Sequence, residues 1–87
     1  MVTIHSDDTK DDSYRTFDIG CAAALMAAGI IMKEMDRTDP RRAEFIFART
    51  LKVEKLASDY FNDKLVVSAR KLFDSMKTLK SRLYGNI

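Results

Sequence analysis

The sequence is poor in the residues that most catalytic and metal chemistry needs: one cysteine, one histidine and three glycines in 87 residues. With Cys21 alone, no disulfide can close within the chain. Neither Cys21 nor His5 has neighbours at zinc-ligand spacing, so the pattern predicts no metal and no cofactor. No glycine-rich loop is present to cradle a phosphate. Catalysis asks a nucleophile, a base and an orienting group to converge, but the single histidine sits in a polar N-terminal stretch away from any partner. The expectation is a protein that is not an enzyme. A long apolar run is missing too: the longest uncharged stretch, residues 19–32, has fourteen residues, where a membrane-spanning helix needs about 20. A secretory signal wants basic residues ahead of its apolar segment, and here "DDTKDDSYRTFD" precedes instead. The run is therefore expected to fill a core, with no membrane contact and a cytoplasmic location, where a lone thiol stays reduced.

What is present fits one small globular domain. Apolar residues make up 46% and charged residues 32%, a balance that supports a core and argues against a disordered chain. A core of this size yields only about 3–5 kcal/mol, so a partner, or a homodimer, is expected to help. The net charge of +2 conceals an uneven layout. Residues 1–13 hold four aspartates against Lys10 and read as a disordered acidic tail, leaving residues 14–87 as the domain. Residues 64–87 hold Lys64, Arg70, Lys71, Lys77, Lys80 and Arg82 against Asp74 alone.

The periodicities predict an α+β fold: a short N-terminal strand, a central helix, a two-stranded β-hairpin and two further helices. Residues 14–16 read as the strand. Thr16 is the expected N-cap of the central helix, with Asp18 in its first turn and Ile19, Ala22, Ala23 and Met26 along one face. Gly29 stands where a helix closes in the left-handed conformation. The glycine, cysteine and alanines of residues 20–28 make this helix thin on almost every side, which predicts close approach to its neighbours. Residues 30–36 and 43–49 read as the hairpin strands, joined through "RTDPRR", where Asp39-Pro40 favours a turn. In the second of them Ala43, Phe45 and Phe47 share a face, opposite Glu44. Thr50 is the expected cap of a helix over 51–62 with Val53, Leu56, Ala57, Tyr60 and Phe61 at helical spacing. Ser68 is the expected cap of the last helix, ending at Gly85, with Ala69, Leu72, Phe73, Met76, Leu79 and Leu83 as its apolar positions and Tyr84 at the margin.

Three segments, "YRTFDIGCAAALMAAG", "AEFIFA" and "SDYFNDKLVVSARKLFDSMKTLK", give the chain a resemblance over about residues 14–82 to a family of small bacterial and phage-associated domains without an assigned function. The resemblance implies the α+β architecture and a phage or mobile-element context, and it carries no active site. Within it "IGC", residues 19–21, departs from the larger apolar residues expected beside the alanines.

Function is therefore expected at charged surfaces. Relative to Leu72, Arg70 and Lys77 fall about 140–160° round the last helix and Lys71 and Arg82 about 260–280°, so basic residues flank the apolar face on both sides. The turn adds Arg37, Arg41 and Arg42. These two surfaces predict a small non-catalytic interaction module, an accessory or inhibitory factor that binds a protein or nucleoprotein partner. The alternative is a nucleic-acid-binding regulator using the same arginines and lysines on phosphates. Partner-binding candidates are thus Arg37, Arg41, Arg42, Lys64, Arg70, Lys71, Lys77, Lys80 and Arg82.

Overall fold

A computed structural model of the chain describes residues 12–84. Most of the acidic tail and the end of the last helix at Gly85 lie outside the described residues. The order is β1 (Ser13–Thr16), α1 (Ile19–Ala27), β2 (Met32–Asp36), β3 (Glu44–Ala48), α2 (Leu51–Phe61) and α3 (Ala69–Tyr84). This is the α+β arrangement of one N-terminal strand, one hairpin and three helices.

Local chemistry places most boundaries. Thr50 accepts the Val53 N–H at 3.0 Å, and Ser68 accepts the Lys71 N–H at 3.2 Å, so both expected caps start their helices. The cap of α1 is Asp18, whose carboxylate accepts the Cys21 N–H at 2.8 Å. Thr16 sits one step further back and accepts the Asp18 N–H at 3.0 Å, which corrects the expectation that it caps the helix itself. Thr16 is still paired in β1, and Asp18 itself keeps an extended backbone (φ −84°, ψ 111°) before the helix starts at Ile19. At the other end Gly29 adopts φ +99°, its N–H donates to Met26 and the Ile30 N–H donates to Leu25. That pair of bonds closes the last carbonyls as the glycine predicts. α2 ends in the same way through Asp63 at φ +64°, with Asp63 bonded to Tyr60 and Lys64 to Asp59.

The strands form one antiparallel sheet in the order β1-β3-β2, with β3 in the centre. β2 is shorter than the expected 30–36 and does not keep a strict alternation. Met32 lies opposite Phe47 and Glu34 opposite Ile46, so Lys33 is an extra residue in a bulge. The bulge resets the pleat: Met32 and Met35, three apart, both pack against the core cluster.

The helices cover one face of the sheet. Cys21, Ala22, Ala23 and Leu25 of α1 meet Phe45 and Phe47 of β3, Val53 and Ala57 of α2 and Leu79 of α3. Both α2 and α3 pack chiefly on α1. A helix with partners on so many sides cannot carry large side chains all round, which explains the run of small residues. Gly20 in particular faces Tyr60, whose hydroxyl occupies the place a methyl group would take. The unusual "IGC" is thus the seat of a tyrosine from α2. On the outer face of the sheet Ile46 is also buried, 3% exposed, although alternation turns it away from the helices. Its register neighbours there are Arg15 and Glu34, long side chains whose stems suit an apolar neighbour.

Two expectations about the helix faces are corrected. Phe61 and Phe73 fit the apolar spacing of their helices, yet they are 57% and 64% exposed. The core cluster takes Leu72, Met76, Leu79 and Leu83 from α3, a narrow stripe, because α3 has one main neighbour. Phe73 lies about 100° from Leu72 and falls beyond it.

Candidate anion-binding groove

The hairpin turn is built by aspartates. Asp36 accepts the Thr38 N–H at 2.9 Å, and Asp39 accepts the Arg41 N–H at 2.9 Å through its side chain and the Arg42 N–H at 3.2 Å through its carbonyl. Such side-chain-to-backbone bonds fold the chain sharply where Pro40 fixes φ. The bonds from Thr38 hold the Asp36 carboxyl below the usual carboxylate range.

This turn does not stand free in solvent. Arg37 donates from Nη1 to the carbonyl of Arg82 at 2.7 Å, across 45 residues of sequence. The acceptor lies in the last turn of α3, where unpaired carbonyls and the helix dipole favour a cation. Arg37 therefore tethers the turn to the end of the helix. Between them lies an open groove of about 360 Å³, lined by Arg37, Asp39, Pro40, Arg41, Arg42, Ala43, Leu83 and Tyr84. Two surfaces read separately in the sequence meet here.

The three arginines of the turn are held differently. Arg41 lies 3.5 Å from the Asp39 carboxylate with its side chain 89% exposed, and Arg42 lies 3.7 Å from the same carboxylate, 60% exposed. Arg42 also stacks over the Phe17 ring, 3.8 Å from its centroid, an arrangement worth about 0.5–1 kcal/mol at exposed sites. One aspartate thus sets two guanidinium groups that stay open to solvent. Ion pairs this exposed contribute little to stability and leave both guanidinium groups accessible.

The remaining candidates are not all brought to this place. Arg82 contributes its carbonyl, while its side chain projects about 180° round the helix from Phe73. Lys71 lies on that same far flank, and Lys64 stands in the loop before α3. Arg70, Lys77 and Lys80 share the flank that ends at Tyr84, all of them exposed. Sequence reading missed Phe17, Asp39, Leu83 and Tyr84 as parts of the site. The available signal was Phe17, a large aromatic between Thr16 and Asp18, one residue past the strand and two before the helix.

Away from the groove, Cys21 is fully buried, and its thiol lies 4.0 Å from the Tyr14 hydroxyl. Burial pushes the thiol up, and burial with the neighbouring sulfur pushes Tyr14 up to about 12. A thiol kept protonated inside a core packs as a small apolar group. Among the described residues no group of His, Cys, Asp and Glu is disposed to hold a metal ion, and no helix is long and apolar enough to cross a membrane.

Residues 11–85 match the sequence profile of the domain of unknown function DUF5659, and the chain belongs to that family. No curated protein and no solved structure matches it.

Proposed function

We propose that this DUF5659 member is a small non-catalytic interaction module that captures an anionic partner in the groove between the hairpin turn and the end of α3. The observation that carries the reading is the pair of exposed guanidiniums, Arg41 and Arg42, positioned by a single carboxylate beside Leu83 and Tyr84. Planar guanidinium groups bind carboxylate or phosphate through paired hydrogen bonds, and here two of them lie beside one carboxylate while remaining open to solvent. The apolar atoms of Leu83 and Tyr84 add a floor on which a partner side chain or base can rest. The resemblance adds a context, an accessory or inhibitory factor of a phage or mobile element acting inside the cell.

A second copy of the chain suits this surface less well than an acidic partner. A symmetric contact through the exposed aromatics of α3 sets Arg70, Lys77 and Lys80 against their own copies, and like charges facing each other repel.

The test is charge reversal and charge release at one spot. Asp39→Asn keeps the oxygen that accepts the Arg41 N–H while removing the charge that competes for both arginines. It is expected to tighten binding of a polyglutamate peptide or an oligonucleotide at low salt, and Arg41→Glu to weaken it. Failure of both probes to bind, or binding indifferent to both substitutions, overturns the reading.

A further inference from the structure

One flank of α3 leads into the groove and carries a pattern of its own. Phe73 and Tyr84 stand 64% and 78% exposed. Round the helix from Phe73, Lys80, Tyr84, Lys77 and Arg70 lie at about −20°, 20°, 40° and 60°. The arc contains two aromatic rings and three cations; the acid nearest to it on the helix, Asp74, lies at about 100°, some 40° beyond Arg70. Lys77 places its Nζ 5.4 Å from the centroid of the Phe73 ring, so cation and ring are already neighbours. Tyr84 belongs both to this flank and to the groove, and joins them into one surface.

We infer that this surface binds single-stranded nucleic acid, with bases stacked on Phe73 and Tyr84 and phosphates paired with Arg70, Lys77, Lys80, Arg41 and Arg42. The inference rests on the anion-binding reading above and names its partner. Exposed rings interleaved with cations are what an unpaired strand requires, because each base offers a π-face to a ring while its phosphate meets a neighbouring charge. A duplex keeps its bases stacked on one another and leaves no face for Phe73 or Tyr84. An acidic protein would use the cations, but aromatic anchors at protein interfaces cluster in a desolvated centre. Here the two rings stand eleven residues, about 16 Å, apart along a convex helix with charges between them. A flexible strand spans that distance.

The experiment is a fluorescence-anisotropy titration of the full chain with labelled oligothymidylate of about 12 nucleotides, within the range of site sizes such surfaces take. Parallel titrations use the matching duplex and a polyglutamate peptide. The oligonucleotide is expected to bind at low salt with a log-log salt slope of about −3 to −4, roughly −0.7 for each phosphate contact. Lys77→Gln and Lys80→Gln should each flatten that slope by about 0.7. Phe73→Ala and Tyr84→Ala should each weaken binding roughly tenfold, while Phe73→Tyr retains it. Both rings are exposed, so circular dichroism should show the alanine variants folded. Binding of the peptide without the oligonucleotide overturns this inference and leaves the anion-binding module standing. Absence of binding to every probe overturns both. Oligonucleotide binding that ignores the two alanine substitutions, or a duplex bound as tightly, overturns the single-stranded assignment.

Discussion

Replacing Gly20 by alanine tests the packing that holds the molecule together. The new methyl would fall on the Tyr60 hydroxyl, with the Asp18 carboxylate 3.1 Å and the Tyr60 Cζ 3.3 Å away. A tyrosine ring is rigid, so it must swing as a unit and give up part of its seat on α1. Overpacking of this kind costs about 1–3 kcal/mol. Alanine in place of glycine in a helix returns up to about 1 kcal/mol. The net expectation is a loss of about 1–2 kcal/mol, a fall in Tm of roughly 4–8 °C per kcal/mol in a domain this small. Adding Tyr60→Phe removes the colliding oxygen and leaves the 3.3 Å approach to the ring carbon, which a shift of a few tenths of an ångström relieves. The double variant should therefore recover about 1 kcal/mol of the loss, a coupling measured by urea unfolding of the four proteins of the cycle. A Gly20→Ala protein as stable as the parent refutes the reasoning. So does strict additivity of the two changes, which would mean that Gly20 is not there to admit Tyr60.

Two further outcomes follow from the structure. Asp18→Ala should cost about 1 kcal/mol by removing the true cap of α1, and Thr16→Ala should cost less; the reverse ranking in denaturant midpoints would restore Thr16 as the cap. Tyr14 keeps its proton to about pH 12 when folded but loses it near its ordinary value of 10.0 when unfolded. Between those values the unfolded chain binds fewer protons, so stability falls as pH rises through the window, by on the order of 1 kcal/mol for a half-buried ring. Burial raises Tyr60 also, with the same sign. Tyr14→Phe should flatten the dependence seen in thermal melts between pH 10 and 12, and an unchanged slope would count against the burial of the Tyr14 hydroxyl.

The sequence by itself determined the elements. Thr50, Ser68 and Gly29 act on amides and carbonyls within a few residues, and the period of Val53, Leu56, Ala57 and Tyr60 is a property of one helix. Such signals survive in any tertiary setting, which is why they could be read without one. It also put the arginines on a turn and the lysines on the last helix. Tertiary structure alone decided the rest. The order β1-β3-β2 and the bulge at Lys33 depend on which strand offers a matching face, and the bulge undoes a two-residue period that looks regular in isolation. The glycine of "IGC" has meaning only once Tyr60, 40 residues on, is set against it. Phe73 fits the apolar spacing of the last helix and points outward, because α3 has one main neighbour and a stripe too narrow to include it. The groove lies between a turn and a helix end that Arg37 bridges across 45 residues of sequence. Local chemistry fixes where chain segments start and stop. Which charged surfaces become one surface is fixed by the shared core that carries them, and no short-range pattern encodes that distance.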